Sequence, residues 1–248
     1  MKLKHWVYRG IARARSAGPR AGNGLRALLY HSVGADIGAD PYGNSIDRGL
    51  FESHIRRIAA GPWRCVAFGP PSAGRELAIT FDDGYRDTLE IAAPLFQALG
   101  LPMTVFVTAA FIQDPGKLYL DRARLKELAA LPGVVIGSHG HTHAKLDLLE
   151  PAALSRELSD SRSFLEDLLG KPVKFLSYPH GRVDRRVRDA AAAAGYEAAG
   201  CSLYGLNEPG RDPLMLYRTE ITRWDSLRDL ELKIEGHWDW FRWRQALA

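Results

Sequence analysis

Residues 76–84 read Glu-Leu-Ala-Ile-Thr-Phe-Asp-Asp-Gly. The first six residues form a short apolar run, which predicts a buried β-strand over residues 76–81. Asp82, Asp83 and Gly84 then end that strand. Adjacent carboxylates are costly to remove from water unless a positive group lies beside them. The stretch is therefore either a simple Asp-Gly turn or a place where a cation binds.

Predicted strands and helices alternate along most of the chain on both sides of this stretch. Residues 32–46 are predicted to form a loop. The alternation favours a parallel sheet, and its repetition over this length favours a barrel. No linker divides the chain, so one α/β domain is predicted. The predicted strands are residues 28–31, 76–81, 102–107, 133–137, 173–178, 196–201 and 214–221, and the predicted helices are residues 51–60, 87–98, 121–131, 151–169, 183–194 and 226–235.

The composition is that of a globular protein. Of the 248 residues, 46% are hydrophobic and 25% are charged, which excludes a disordered chain and a collagen-like repeat. No apolar run approaches the roughly 18 residues of a spanning helix, and charge interrupts the N-terminus throughout, so a cytoplasmic protein is expected. Cys65 and Cys201 are too few for a disulfide scaffold, and two free thiols are expected.

The net charge of +4 is concentrated at the N-terminus. Residues 1–26 contain seven basic residues and no acidic one, whereas the rest of the chain contains 26 basic and 29 acidic residues. The body of the protein is therefore mildly acidic, and nucleic acid is not expected as a partner.

Both ends of the chain combine apolar or aromatic residues with bases. The N-terminal segment has the spacing of an amphipathic helix, and the C-terminal segment is rich in Trp and Arg. Two interpretations are open at each end, namely peripheral contact with an anionic membrane and packing against the barrel. The helical stripe consists of Leu3, Trp6, Val7, Ile11 and Ala14, the opposite face carries Lys2, Lys4, Arg9 and Arg13, and the C-terminal segment contains Trp238, Trp240, Phe241, Arg242, Trp243 and Arg244.

Histidines follow other predicted strands at positions equivalent to that of the two aspartates. In parallel α/β folds, functional groups collect at the carboxyl ends of the strands. His139 and His143 are four residues apart, so their imidazoles converge if the segment turns helically, and imidazole is the commonest metal ligand among side chains. One carboxylate and two imidazoles leave positions open on a divalent ion, as in a catalytic site. The alternative is a set of surface polar residues.

Three motifs resemble the first three motifs of the polysaccharide deacetylases, the NodB-homology domain of carbohydrate esterase family 4. They are Thr80-Phe-Asp-Asp-Gly84, Gly137-Ser-His-Gly-His-Thr-His143 and Phe175-Leu-Ser-Tyr-Pro-His-Gly181. Leu29-Tyr-His-Ser-Val33 and Leu101-Pro-Met-Thr-Val-Phe106 are similar to its exopolysaccharide branch. The resemblance covers residues 27–236 and implies a distorted (β/α)7 barrel there. The residues outside it are predicted to form a basic extension at 1–26, which has the pattern of an amphipathic helix, and an aromatic, basic tail at 237–248.

The resemblance also implies an activity, the metal-dependent removal of N-acetyl or N-formyl groups from an amino sugar of a free or lipid-linked glycan. It makes Asp83, His139 and His143 the ligands of one divalent ion, with zinc expected first and cobalt, nickel or iron as alternatives. It makes Asp82 the general base.

The remaining site residues are implied less directly. A backbone N–H near Tyr178, Pro179 and His180 is expected to stabilise the oxyanion. The third motif has Ser177 where many relatives have an arginine, and Arg218 either replaces that arginine or forms an ordinary salt bridge. No histidine of the usual C-terminal motif is present, so the resemblance transfers the role of general acid to His31, which otherwise caps the first strand.

Two other functions stay open at this point. One is the hydrolysis of another non-peptide C–N bond, such as that of a cyclic imide or ureide. The other is glycan binding without catalysis on the same barrel.

Overall fold

The computed structural model describes residues 2–16 and 22–245, with only the backbone described for residues 2–6. Its strands are β1 Gly24–Tyr30, β2 Ser32–Val33, β3 Ser45–Ile46, β4 Arg64–Val66, β5 Arg75–Phe81, β6 Met103–Val107, β7 Val134–Ser138, β8 Phe175–Ser177, β9 Ala198–Gly200 and β10 Thr219–Glu220. Its α-helices are α1 Lys2–Arg15, α2 Arg48–Ala59, α3 Ala93–Leu99, α4 Ala109–Gln113, α5 Arg122–Ala130, α6 Pro151–Leu169, α7 Arg185–Ala193, α8 Leu227–Ile234 and α9 Arg242–Gln245.

The main sheet is parallel and curls into a barrel. Its strands follow the order β10-β1-β5-β6-β7-β8-β9, and β4 pairs with the first half of β5. A parallel bridge joins Gly200 in β9 to Leu216, three residues before β10, and so connects the two ends of the path. The predicted single-domain (β/α)7 barrel is thereby confirmed.

Capping residues explain where several helices begin and end. The side chains of Asp47, Asp121 and Asp184 each accept a hydrogen bond from the third backbone N–H that follows, at the starts of α2, α5 and α7. Gly100 and Gly170 end α3 and α6 in the left-handed conformation that glycine adopts without a Cβ clash. The bounds of these helices were predicted within three residues, apart from a π-helical turn at Thr88–Ala92 that precedes α3.

Several segments differ from the prediction. The first strand begins at Gly24, four residues earlier than expected, inside the predicted basic extension. The segment predicted as a loop contains the two-residue strands β2 and β3, which pair with each other. The strand β4 and the helix α4 were not predicted, because three and five residues are too short to establish a periodic pattern.

Apolar side chains fill two layers, one between the sheet and its helices and one inside the barrel. Phe51, Phe81 and Phe96 pack in the outer layer. Phe68 and Phe106 pack edge to face inside the barrel. The inner layer ends below the carboxyl-terminal edge of the sheet, so the polar residues that follow the strands lie above it.

The two ends of the chain pack against each other. Ala12 of α1 is buried with Tyr204, Leu232 and Trp238, and the Tyr8 ring contacts Phe241. This contact agrees with the interpretation that the C-terminal aromatic residues pack on the barrel. Cys65 and Cys201 are free thiols, as expected. Among the described residues, no helix combines the length and hydropathy that crossing a membrane requires.

Candidate metal centre and active site

Neighbouring strands bring the predicted site residues to one edge of the sheet. Asp82 and Asp83 directly follow β5, and the Asp82 N–H donates to the Tyr30 carbonyl, which holds that segment beside the end of β1. His139 directly follows β7, and its N–H donates to the Val107 carbonyl at the end of β6. The parallel register therefore aligns the acidic pair with the histidine segment.

Asp83, His139 and His143 converge into a set of three ligand atoms within 4.8 Å of one another. The Asp83 Oδ1 atom lies 3.5 Å from His139 Nε2 and 3.4 Å from His143 Nε2. That oxygen is buried and accepts no hydrogen bond from any residue that the structure describes. A buried carboxylate oxygen facing two imidazole nitrogens fits a divalent cation, which supplies the missing partner.

The electrostatics of these three residues also fit a cation. Burial, and then the adjacent charge of Asp82, raise the pKa of Asp83 to about 7. Burial lowers the pKa of His139, and burial followed by repulsion from His139 lowers the pKa of His143 to about 3. Neutral imidazole is the form that binds metal, and a cation beside Asp83 would stabilise its carboxylate.

A hydrogen bond fixes the orientation of His139. Its Nδ1 lies 2.8 Å from the Ser177 carbonyl oxygen, and only a protonated Nδ1 donates there. The Nε2 lone pair therefore points toward Asp83. This is the outer-shell arrangement that typically orients a metal-binding histidine.

Backbone strain is concentrated at this site. Within residues 2–16 and 22–245, the non-glycine residues with positive φ are Asp83, His143 and His180, at 72°, 64° and 59°. Such conformations cost on the order of 1–3 kcal/mol and persist only where surrounding contacts enforce them. Two of the three are metal-ligand candidates, so the fold maintains strain where the ligands converge.

Asp82 is not part of this ligand set but forms a buried ion pair with Arg218. The guanidinium donates from Nη1 to Oδ1 at 2.7 Å and from Nη2 to Oδ2 at 2.8 Å. Both side chains are almost inaccessible to water. Burial raises the pKa of Asp82, but Arg218 and then His139 outweigh it and hold the pKa well below its usual range. Asp82 is therefore ionised at neutral pH.

The remaining Arg218 donors are also used. Nη2 donates to Ser177 Oγ at 2.6 Å, Nη1 to Thr80 Oγ1 and Nε to the Cys201 carbonyl. Ser177 Oγ in turn donates to Asp82 Oδ2 at 2.9 Å. The guanidinium of Arg218, the residue directly before β10, thus contacts the same carboxylate as the serine of the third motif.

His31 lies at the end of β1, adjacent to this ion pair in the register of the sheet. Its Nδ1 is buried and has no hydrogen-bond partner within the described residues. Burial lowers the pKa of His31 to about 4, against the opposing attraction of Asp82. The imidazole is therefore neutral at neutral pH, and its Nδ1 is free of contact with the polar groups of the described residues.

Only one of the three residues expected near the oxyanion has a suitable free donor. The Tyr178 N–H donates to the Gly200 carbonyl, and the buried Tyr178 hydroxyl donates to the Leu214 carbonyl. Pro179 has no N–H. The His180 N–H donates to no protein acceptor in the part of the chain that the structure describes. The centre of the His180 ring lies 4.5 Å from the centre of the His143 ring, at the exposed side of the site.

Two further contacts were not predicted from the sequence. Ser177 accepts a hydrogen bond from Arg218 and donates one to Asp82. The sequence had marked this position only by its lack of the arginine that many relatives have. Glu157 of α6 accepts hydrogen bonds from Thr142, next to His143. The signal for Glu157 is its position, since it is an acidic residue on a helix face that otherwise buries Leu154, Leu158, Ser161 and Leu165.

Comparison with known proteins defines the class to which this barrel and site belong. The family model for polysaccharide deacetylases matches residues 70–199, more than half of the chain. The matched segment contains Asp82, Asp83, His139 and His143. The chain belongs to the polysaccharide deacetylase family.

Individual relatives agree with this assignment. YxkH of Bacillus subtilis, whose name assigns it to the polysaccharide deacetylases, is 26% identical over 211 residues, which cover 80% of this chain and 71% of YxkH. Deacetylase PplD of Streptococcus pyogenes, solved in complex with acetate, has a TM-score of 0.75 at 19% identity and covers 87% of this chain and 100% of its own. IcaB of Ammonifex degensii has a TM-score of 0.74 at 21% identity, with coverage of 88% and 100%. The two solved structures share the fold of this chain.

Proposed function

We propose that this protein is a metal-dependent hydrolase that removes N-acetyl or N-formyl groups from an amino sugar of a poly-, oligo- or lipid-linked saccharide. The observation that carries the proposal is the pairing of two sites at one edge of the sheet. Asp83, His139 and His143 form a set of divalent-ion ligands, and Asp82 stands beside them as a separate, ionised carboxylate. Amide hydrolysis needs both a Lewis acid and a base.

Zinc is the first expectation for the bound ion, and it would polarise the amide carbonyl and lower the pKa of a water molecule. Asp82 takes a proton from the attacking water. Arg218 and Ser177 keep Asp82 ionised and fix the direction of its oxygen atoms through the hydrogen bonds given above. The His180 N–H, which has no acceptor among the described residues, stabilises the negative charge that develops on the carbonyl oxygen.

His31 completes the proton transfer. The C–N bond breaks only when the leaving nitrogen receives a proton, because an amide anion is a poor leaving group. His31 is neutral before the reaction, and the charge of Asp82 favours its protonated form. The proton that Asp82 takes from water passes to His31 and then to the leaving amine. His31 thus acts as general acid although it begins the cycle neutral.

His31→Gln is expected to lower kcat on an N-acetylated amino sugar by about 10²-fold or more, because proton donation is lost. It should lower kcat on 4-nitrophenyl acetate far less, because that leaving group departs without a proton. The measurement compares both substrates at equal metal content. Equal losses on the two substrates would remove His31 from the role of acid and leave it as a structural cap of β1.

The experiment that tests the proposed function is an activity assay on metal-reconstituted protein. The substrates are N-acetyl and N-formyl amino sugars, free and lipid-linked, with cyclic imides and ureides as the comparison set. Release of acetate or formate that requires the metal supports the proposal. Turnover of the cyclic compounds alone would identify a different C–N hydrolase. Glycan binding without any turnover would identify a binding protein on this barrel.

We further propose that the N-terminal helix makes peripheral contact with an anionic membrane, which would bring the site to a lipid-linked glycan. The helix α1 packs by Tyr8 and Ala12, and Arg9 forms an ion pair with Asp229. Val7 and Ile11 lie on another face and are 55% and 37% exposed. Two bases of the same helix, Arg13 and Arg15, are exposed as well. Four side chains of the predicted amphipathic helix lie outside the described part of the structure. They are Leu3 and Trp6 of the apolar stripe and Lys2 and Lys4 of the opposite face. The cytoplasmic location stays a prediction.

The full-length chain is expected to co-sediment with phosphatidylglycerol vesicles at low salt, and less with phosphatidylcholine vesicles or at high salt. The double variant Val7→Ser/Ile11→Ser should reduce binding, because both side chains are exposed apolar groups on α1. Leu148→Ser is the matched control, since Leu148 is 68% exposed elsewhere on the barrel. If the double variant and the control bind equally well, α1 is not the contact.

A further inference from the structure

Glu157 is a buried carboxylate that contacts the segment between the two histidines. It lies on the buried face of α6 and is 8% exposed. Its Oε1 accepts from the Thr142 N–H at 2.6 Å, and its Oε2 accepts from the Thr142 hydroxyl at 3.0 Å. Within residues 2–16 and 22–245, no lysine or arginine forms an ion pair with it. The two donors of Thr142 are therefore its partners in place of a cation.

These hydrogen bonds act on one side of a segment that is also held on the other side. The N–H groups of Ala109 and Ala110, at the start of α4, donate to the carbonyls of Gly140 and His141. Thr142 follows directly and is held by Glu157 from α6. The segment from His139 to His143 is thus fixed between two helices by its carbonyls on one side and by Thr142 on the other.

The conformation of His143 explains why such a contact is needed. His143 has φ of 64°, a conformation that an L-residue adopts only when its neighbours enforce it. Thr142 immediately precedes it, so hydrogen bonds to the N–H and hydroxyl of Thr142 fix the direction in which the chain enters His143. Without them, the segment is free to relax toward an unstrained conformation, and the imidazole would move away from Asp83.

Gly140 shows how closely Glu157 approaches this segment. A Cβ at Gly140, which has φ of 76°, would lie 3.1 Å from Glu157 Oε1 and 3.3 Å from Pro179 Cγ. The absence of a side chain at Gly140 lets α6 approach the backbone of the histidine segment.

We propose that Glu157 is a positioning residue that holds His143 in the geometry required for metal binding, without contacting the metal or the substrate. The inference rests on the proposed function, because it assigns Glu157 a role toward the metal that His143 would bind. An outer-shell carboxylate that orients a ligand through the backbone leaves the ligand set unchanged and alters the affinity and coordination geometry of the ion.

The test measures the affinity of the full-length protein for Zn²⁺ by chelator competition and the absorption spectrum of the Co²⁺-substituted protein. Glu157→Leu is expected to weaken Zn²⁺ binding by about 10–100-fold, and to change the Co²⁺ spectrum, because the loop geometry changes. Glu157→Gln should recover much of the affinity, since its side-chain oxygen still accepts from the Thr142 N–H.

Glu166→Leu is the matched control, because Glu166 lies on the same helix and also accepts from a backbone N–H, that of Val173 at 2.9 Å, far from the histidines. It should lose stability without a change in Zn²⁺ affinity or in the Co²⁺ spectrum. If Glu157→Leu does not fold, Thr142→Val removes one of the two donors and should weaken binding to a smaller extent.

The outcomes separate this inference from the function on which it rests. Failure of the wild-type protein to bind Zn²⁺ or Co²⁺ would overturn the proposed metal-dependent function together with the inference. Metal binding by the wild type with unchanged affinity and spectrum in Glu157→Leu would overturn only the positioning role. Equal weakening in Glu157→Leu and Glu166→Leu would also overturn it, because the effect would then be one of helix stability.

Discussion

Asp82→Asn is expected to retain the divalent ion and to lower kcat by about 10²–10⁴-fold, the range associated with loss of a general base. The amide keeps nearly the same shape but cannot accept a proton from water. Asp83→Ala, His139→Ala and His143→Ala are each expected to lose the ion together with the activity, because each removes one of three converging ligand atoms. The measurements are metal content after dialysis and kcat under saturating metal.

Circular dichroism and thermal unfolding serve as controls, since Asp82→Asn also weakens the contact with Arg218. A folded Asp82→Asn protein without bound metal would contradict the separation of roles between the two adjacent aspartates. So would a folded Asp83→Ala protein that keeps its metal and its turnover. The assignment depends on the difference between the two sets of variants, so a uniform loss of metal in all four would also reject it.

Arg218→Met is expected to lower the free energy of unfolding by about 3–5 kcal/mol, because it leaves the Asp82 carboxylate buried without its cation. Urea unfolding at neutral pH measures this change. The double variant Arg218→Met/Asp82→Asn should recover part of the loss, since no uncompensated charge then remains. Arg218→Lys should be intermediate in stability, because lysine keeps the charge but cannot form the two parallel hydrogen bonds.

Arg56→Met provides the comparison with an exposed pair. Arg56 donates to Glu52 one turn away on α2, and both side chains are well exposed. Its removal should change stability far less than that of Arg218, because water and salt screen such pairs. If the two arginine variants unfold at the same urea concentration, the Asp82–Arg218 pair does not contribute to stability as its burial implies.

Much of the barrel was predictable because its strands and helices are long enough to show their periods. The run that ends at Asp82 is buried on both faces, and α6 repeats an apolar stripe over 19 residues. The elements that the sequence concealed are short ones. A single strand was predicted over residues 214–221. The structure instead has a 3₁₀ turn at Pro213–Met215, followed by the two-residue strand β10.

The position of a candidate residue was predictable where the signal lies in the residue itself, and not where it depends on a contact with another element. The aspartates and histidines are unusual residues at strand ends, so the sequence alone predicts that they lie together. The hydrogen bonds of Ser177 and Glu157 depend on which strand or helix lies opposite, and this information is tertiary. Tyr178 illustrates the converse case, because its N–H is used in the sheet and its hydroxyl lies in the core.

The ion pair between Asp82 and Arg218 joins residues 136 positions apart, and this separation has a consequence for folding. During synthesis, β5 and Asp82 emerge well before β10, so the carboxylate has no guanidinium partner until the end of the chain arrives. An unpaired carboxylate resists burial, which disfavours early closure of the sheet around it. Contacts of such long range form late because loop closure must precede them. Closure of the barrel and formation of the Asp82–Arg218 pair are therefore a single late event, and chains that end before β10 are expected to lack the proposed activity.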